Sequence, residues 1–236
     1  MKRQRANRIL QATTVRDALL RHVEAAVKAI HAHNPPDKQI HRARKELKRA
    51  RANLRLLRDA VGKAAYIREN VVLRDAARPL SGVRDAAVLL ETGNTLLSAT
   101  RRGPRRRWLL KVRRALEQAR LEARAELRRM NATRASAACL VAASARMRRW
   151  RLEQADMKSV YSGLQRIYRQ GREALAIACA NPTAENLHEW RKQVKYLGQS
   201  MEMWKAHDAD GVTGLIKCAD KLADLLGTDQ DLAVFE

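Results

Sequence analysis

The chain has 236 residues, of which 46% are apolar, so it can bury a core and is not expected to be disordered. Its 48 lysines and arginines outnumber its 25 aspartates and glutamates; the formal net charge of +23 indicates a polyanionic partner, because self-repulsion of this size destabilises a compact state. No apolar run is long enough for a signal peptide or a membrane span, so we expect a cytoplasmic protein without membrane segments.

Helices are predicted along almost the whole chain. Proline and glycine are scarce and apolar residues recur every three or four positions, which is typical of an all-α protein. The helices are expected at about 11–33, 35–61, 64–80, 83–100, 104–131, 157–180, 182–206 and 212–226, with a last one that begins near 228. A helical or partly helical bridge, 132–156, is expected to join a first half, 1–131, to a second half, 157–236, within one domain, 1–236.

Two of these helices, 35–61 and 182–206, carry an internal repeat at an offset of 147 residues. The matched positions are Asn34-Pro35 with Asn181-Pro182, His41 with His188, Arg44-Lys45 with Arg191-Lys192, and Lys48 with Lys195. Asn followed by Pro is typical of an N-cap and a first helical position, because proline has no amide hydrogen to satisfy there. We therefore expect both helices to begin in the same way.

The first of these helices has an apolar face beside a cationic face. Its apolar residues, spaced by three and four, are Ile40, Ala43, Leu47, Ala50, Leu54, Leu57 and Val61. Those of the second helix are Leu187, Trp190, Val194, Leu197, Met201 and Trp204. The cationic face of the first helix borders its apolar face and consists of His41, Arg44, Lys48, Arg51 and Arg55, with Lys45 beside it. Neighbouring helices can hold such cations in a groove for an anion; alternatively, they are long side chains that lie along the core.

Segments of both halves resemble the CHAD family, the conserved histidine α-helical domain. The resemblance rests on IHRARKELKRARANLRLL and LHEWRKQVKYLGQSMEMW, on LSGVRDAAVLLE at 80–91 and LLGTDQDLAVFE at 225–236, and on GLQRIYRQGREAL at 163–175. It implies two four-helix-type bundles, related by a pseudo-two-fold axis, around a basic central groove that binds inorganic polyphosphate. It also implies association with polyphosphate granules.

The resemblance further implies roles for particular residues. Polyphosphate would be bound by the signature residues His41, Arg44, Lys45, Lys48, His188, Arg191, Lys192 and Lys195, and by Arg166, Arg169 and Arg172 of a basic helix. Arg51 and Arg55 are added to this predicted site because they lie on the cationic face of the first signature helix. Asp85 and Asp231 occupy the turn after each signature helix, and we interpret them as helix caps or as partners that orient an arginine.

The second half departs from the first in its charge. Where the first half has Arg42, Arg51 and Arg55, the second has Glu189, Gly198 and Glu202. We expect the arginines of the basic helix to supply the missing cations. The chain ends within the last predicted helix of the second bundle, which leaves that bundle without the family's closing segment. Either the terminus diverges from the family or a segment is missing.

Two other functions compete with polyphosphate binding. The cluster RRGPRRRW at 101–108 suits a nucleic acid, but one Phe, four Trp and four Tyr leave few rings for stacking, and we interpret the cluster as a solvated loop. A phosphohydrolase that uses His41 and His188 with a metal is disfavoured, because no acidic cluster accompanies them and their cationic neighbours repel a metal ion. We therefore expect no enzymatic activity, no cofactor, and nucleic acid only as a weaker competitor.

The three cysteines are expected to be structural. Cys139, Cys179 and Cys218 lie far apart among Ala and Leu, without metal-ligand spacing. This pattern predicts small buried residues in a reducing compartment.

Overall fold

The computed structural model describes residues 11–153, 155, 157–205 and 209–233, and it describes side chains at all of these except 209–210 and 228–233. Throughout the described residues the regular structure is helical, which confirms the all-α prediction. The helices are α1 (Ala12–Ile30), α2 (Asp37–Leu56), α3 (Arg58–Val61), α4 (Lys63–Ala77), α5 (Ser81–Ala99), α6 (Pro104–Arg129), α7 (Ala132–Arg148), α8 (Met157–Ala180), α9 (Ala184–Met201) and α10 (Ala209–Ala233), with a 3-10 turn at Glu202–Trp204.

The positions of two helix breaks differ from the prediction. The helix expected at 35–61 is interrupted at Leu57, and the following α3 ends at Gly62, whose φ of 82° lies in the left-handed region that favours glycine. The break expected near 227 is absent, because α10 continues through Gly227. A glycine inside a helix costs only about 1 kcal/mol relative to alanine, which packing can offset.

The chain divides into two compact units. The larger unit comprises residues 1–22, 48–70 and 145–236, and the smaller unit comprises residues 23–47 and 71–144. The boundaries fall inside α1, α2, α4 and α7, so each unit is assembled from segments that are distant in the sequence.

In the larger unit α9 packs antiparallel to both α8 and α10. A Cβ placed on Gly171 of α8 would lie 3.9 Å from Gln193 Cβ, and one on Gly198 would lie 3.2 Å from Ala219 Cβ of α10. Gly163 of α8 meets the end of α2 so closely that a Cβ there would lie 2.6 Å from Leu56 O. Small residues at these crossings allow the helices to approach one another closely.

In the smaller unit α5 and α6 form an antiparallel helical hairpin. The turn between them contains Gly103, with a φ of 125°, and Pro104 occupies the first position of α6, where no amide hydrogen is needed. Gly93 lies so close to α6 that an added Cβ would be 3.2 Å from Leu116 Cδ1. The hairpin is therefore closely packed where Gly93 meets α6.

The prediction that the three cysteines are buried is wrong. Cys139, Cys179 and Cys218 are all exposed on the outer sides of their helices. Cys179, for example, is exposed although the preceding Ala178 is buried. Among the described residues, no helix combines the length and the apolar character needed to cross a bilayer.

Candidate functional site

Helix α2 carries the first copy of the repeated motif, and its predicted apolar face is confirmed. Ile40, Ala43, Leu47, Ala50 and Leu54 have no exposed surface. The cationic residues beside them fall into two groups. His41, Lys45 and Lys48 are exposed, whereas Arg44, Arg51 and Arg55 are partly buried. The motif thus presents some cations to solvent and holds others against the protein.

Arg44 is held against the start of α5 in the smaller unit. Its guanidinium donates to Ser81 Oγ and, at 3.5 Å, to the carbonyl of Ala77, and its NH2 lies 3.8 Å from Asp85 Oδ1. Burial lowers the pKa of Arg44, and the negative charge of Asp85 opposes this change. Asp85 therefore serves as a partner of the arginine, one of its two expected roles, whereas the side chain of Asp231 lies outside the described residues.

Arg191, the counterpart of Arg44 in the repeat, is held in the same manner within the larger unit. Its Nε donates to the carbonyl of Ala223 on α10 at 3.0 Å. Its guanidinium carbon lies where a side chain at Gly227 would have to go, 2.7 Å from an added Cβ. In both copies, therefore, the motif arginine reaches the backbone of a helix that follows in the sequence.

The starts of the two signature helices differ from the prediction. The N-cap of α9 is Thr183, whose side chain accepts a hydrogen bond from the Asn186 amide at 3.2 Å, so the expected N-cap role of Asn181 is wrong. Asn34 precedes α2 by three residues, and its Oδ1 accepts a hydrogen bond from Arg124 NH2 of α6 at 2.7 Å. A contact with a distant helix replaces the local cap, which an Asn-Pro pair alone does not reveal.

The last two cations of α2 face partners in the larger unit. Arg51 Nε donates to Asn70 Oδ1 at 3.0 Å, and Arg55 NH1 donates to the carbonyl of Arg51 at 3.1 Å. The guanidinium of Arg55 lies 3.7 Å from the ring centre of Tyr196 on α9, a cation–π contact. This contact brings the end of α2 beside the cationic row of α9. The sequence prediction missed Tyr196, although its four-residue spacing from Lys192 places it on the same helical face.

Helix α9 presents His188, Lys192 and Lys195 as partly buried residues on one face. Lys192 donates to Glu189, and Gln193 donates to the same carboxylate at 2.7 Å. The hydrogen bond from Lys192 lowers the pKa of Glu189; burial opposes this and the bond from Gln193 adds to it. The second copy therefore contains a resident carboxylate, and an incoming anion must compete with it for Lys192.

The three arginines of α8 are not equivalent. Arg166 NH2 makes two contacts with Asp59 of α3, at 2.6 and 2.8 Å, so it acts as a link between helices. Arg169 lies 3.9 Å from Glu173, with both side chains exposed. Arg172 is exposed and has no side-chain partner among the described residues. Arg169 and Arg172 are thus the two that remain accessible to a ligand.

The predicted site residues are distributed over both units. His41, Arg44 and Lys45 belong to the smaller unit. The larger unit contains Lys48, Arg51, Arg55, Arg166, Arg169, Arg172, His188, Arg191, Lys192 and Lys195. Within it, side-chain contacts bring Arg55 to α9, Arg166 to α3 and Arg191 to α10. No group of three or more His, Cys, Asp or Glu side chains in the described part of the chain is placed to hold a metal ion.

Comparison with known proteins identifies a family for this chain. The model of the CHAD domain family matches residues 14–236, which is nearly the whole chain and includes both signature helices. This match confirms the resemblance inferred from the signature segments. Neither the curated proteins nor the solved structures contain a match to the chain.

Proposed function

The chain belongs to the CHAD domain family, and we propose that it binds inorganic polyphosphate, a long linear polyanion, without catalysing a reaction on it. The proposal includes a cytoplasmic location, at polyphosphate granules. It also includes the basic central groove that the family resemblance implies. The support comes from the family, whose members are associated with polyphosphate, and from the accessible cations of α2, α8 and α9.

The observation that carries the proposal is a division of roles within the repeated motif. Arg44 and Arg191 donate hydrogen bonds to α5 and α10. The lysines that follow them in both copies keep exposed surface, and Lys192 also donates to the neighbouring carboxylate of Glu189. These lysines are Lys45, Lys48, Lys192 and Lys195. The arginines link each signature helix to another helix, and the lysines supply point charges on flexible stems that can reach a phosphate chain.

The cations form rows, which favours a linear anion over a compact one. From His41 to Arg55 the row on α2 covers 14 residue steps, or about 21 Å of helix axis. The row from His188 to Lys195 on α9 extends over about 10 Å. A single orthophosphate engages only one turn of such a row, whereas a polyphosphate chain makes contacts along its length.

The test compares the four accessible lysines with four lysines elsewhere. Long-chain polyphosphate is titrated calorimetrically into the wild-type chain and into a variant with Lys45, Lys48, Lys192 and Lys195 replaced by Gln. The matched control replaces Lys28, Lys63, Lys217 and Lys221, which are exposed residues of α1, α4 and α10. At about 0.5 kcal/mol for each exposed contact, the first variant should lose about thirtyfold in affinity.

The control variant carries the same change in net charge, so it measures the nonspecific effect of charge. We expect it to lose no more than about threefold. Equal losses in the two variants would contradict the assignment to α2 and α9. Failure of the wild-type chain to prefer polyphosphate over DNA and heparin of equal charge would contradict the proposed ligand.

A further inference from the structure

A second basic surface lies on the outer side of α6, in the smaller unit. We call it the α6 face, and it consists of Arg105, Arg107, Trp108, Lys111 and Arg114. All five residues are exposed, and the Trp108 side chain retains 56% of its surface. Arg105 and Lys111 flank Trp108 at three residues on either side, which makes them its neighbours on the helix surface. An indole exposed between cations is unusual, because large rings are normally buried.

The described part of the protein does not engage the cations of the α6 face. Their side chains make no hydrogen bond or ion pair within the described ranges. Arginines further along the same helix are engaged: Arg120 donates to Asp37 at 2.8 Å, and Arg129 donates to Glu126 at 2.7 Å. The charge of the α6 face is therefore left for an external anion.

The α6 face is also held in place by the helix that carries it. The interpretation of 101–108 as a solvated loop is therefore wrong for 104–108. Only the residues before Pro104 are outside α6, so Arg105 and Trp108 belong to its first turns. Arg106 ties this end to α5, since its NH1 donates to the carbonyls of Leu97 and Thr100, both at 2.9 Å. The buried Leu109 anchors the helix from the other side. A fixed surface loses less conformational entropy when it binds.

The positions of the cations and of the Trp108 ring distinguish between three anionic partners: a membrane, polyphosphate and a nucleic acid. A helix that lies on a membrane has a wide apolar face with cations at its edges. Here Arg107, Lys111 and Arg114 occupy the centre of the outward face, and Trp108 lies to one side of them. Polyphosphate engages the cations but has no planar group for the indole. A nucleic acid strand has both phosphates and bases, and bases stack on exposed aromatic rings.

We infer that the α6 face is a binding surface for single-stranded nucleic acid. Arg107, Lys111 and Arg114 contact successive phosphates, at steps of about 6 and 4.5 Å along the helix axis. A base stacks on Trp108, between Arg105 and Lys111. The inference does not rest on the proposed polyphosphate function, because it uses another helix and other residues.

The experiment measures fluorescence polarisation of a labelled oligothymidylate of about ten nucleotides, a length within the site size of known single-strand binders. Trp108→Ala should weaken binding of the oligonucleotide about tenfold while changing polyphosphate affinity less than twofold. Tyr168→Ala is the matched aromatic control, since Tyr168 on α8 is 53% exposed. It should leave binding of the oligonucleotide unchanged.

A charge variant, with Arg107, Lys111 and Arg114 replaced by Gln, tests the phosphate contacts. Its log–log slope of oligonucleotide affinity against salt should be shallower than that of the wild type by about 2, at roughly 0.7 for each lost contact. The control replaces Lys28, Lys63 and Lys217 by Gln and should keep the wild-type slope. Circular dichroism checks that each variant remains helical.

Three outcomes would overturn the inference. They are equal losses for oligonucleotide and polyphosphate in Trp108→Ala, no loss in that variant, and Trp108-dependent capture by phosphatidylserine vesicles without oligonucleotide binding. The variant that lacks Lys45, Lys48, Lys192 and Lys195 should still bind the oligonucleotide. Failure of polyphosphate binding is therefore distinguishable from failure of this inference.

Discussion

Glu69 is a carboxylate with no exposed surface, and two arginines neutralise it. Arg146 makes a two-pronged contact with it, at 2.9 and 2.8 Å, and Arg68 Nε lies 2.7 Å from Oε1. Burial by itself raises the pKa of Glu69, but the hydrogen bonds from Arg146 and Arg68 outweigh that effect and lower the pKa below its ordinary value. The charged form is therefore favoured in the folded larger unit, where this group joins α4 to the end of α7.

Replacing Glu69 with Gln should lower the free energy of unfolding by about 1.5 kcal/mol near pH 7, because the charge-assisted hydrogen bonds from Arg146 and Arg68 are weakened while both arginines remain partly solvated. Since the folded pKa is lowered, the contribution of Glu69 is complete above the ordinary glutamate pKa and is lost as the pH falls through the folded value. The gap between wild type and variant should therefore narrow below about pH 4. Urea denaturation of both proteins at several pH values measures this difference in the free energy of unfolding.

Glu126→Gln is the control for this prediction, because Glu126 forms an exposed ion pair with Arg129 on α6. It should change the free energy of unfolding by less than about 0.5 kcal/mol. A gap for Glu69→Gln that stays constant down to about pH 3 would contradict the assigned role of the charge.

At the residue scale the sequence repeat identifies matching cations in the two halves but not what each one contacts. The repeat singles out Arg44 and Arg191 as members of one pattern, and the structure gives both an intramolecular hydrogen bond. The contacts depend on helices that lie about 30 residues further along the chain, which helical periodicity does not position. The contact of Arg55 with Tyr196 was missed for the same reason.

At the scale of helices, close approach at glycine is a recurring feature of the larger unit. Gly163 of α8 faces the backbone of Leu56, and added Cβ atoms would lie 2.6 Å from its carbonyl oxygen and 2.7 Å from its Cα. Backbone atoms cannot move aside in the way that a flexible side chain can. The crossing of α8 with the end of α2 therefore requires a residue without a side chain.

Gly163→Ala should accordingly destabilise the protein by about 2 kcal/mol, because the overpacking outweighs the gain in helix propensity. Gly214→Ala in α10 provides the matched control, since an added Cβ there meets nothing within 4 Å. That variant should be more stable by up to about 1 kcal/mol. Thermal unfolding of both variants measures the two effects, and shifts of the same sign would contradict the close crossing.

The helices themselves were predictable, because apolar periodicity reports which residues can share a buried face. Of the expected core face of α2, the positions from Ile40 to Leu57 are fully buried. The second signature helix follows its pattern less well: Val194 is buried, but Trp190 and Trp204 keep partial exposure. Helix ends were less predictable, because long-range contacts such as that of Arg124 with Asn34 decide them.

At the scale of the whole molecule, the sequence repeat and the compact units describe different divisions. The repeat separates the chain into successive halves, whereas compactness groups residues 1–22 and 48–70 with 145–236. Local periodicity contains no information about which distant segments pack together. The all-α class and the family were therefore within reach of the sequence, and the composition of the units was not. The arrangement of two symmetric bundles stays a prediction.

The net charge of +23 leads to a prediction in which salt has two opposite effects. In the free protein salt screens self-repulsion, so the midpoint of thermal unfolding should rise between about 0.05 and 0.2 M salt. Polyphosphate binding should weaken over the same range, because each phosphate contact releases counterions. Among the described residues proposed to bind polyphosphate, we take six lysines and arginines as the phosphate contacts: Lys45, Lys48, Arg169, Arg172, Lys192 and Lys195. At roughly 0.7 for each contact, the log–log slope of affinity against salt should be about −4, a loss of about 300-fold.

The variant in which Gln replaces Lys45, Lys48, Lys192 and Lys195 gives a second test of this salt dependence, because only two of the six phosphate contacts remain. Its slope should fall to about −1.4, while its unfolding midpoint should rise less with salt than that of the wild type, since less self-repulsion is left to screen. Calorimetry and thermal scans at matched salt concentrations measure both quantities. An unfolding midpoint that falls with added salt would show that the charges already neutralise one another within the fold. An affinity that is flat across the salt range would show that the accessible cations do not contact the phosphate chain.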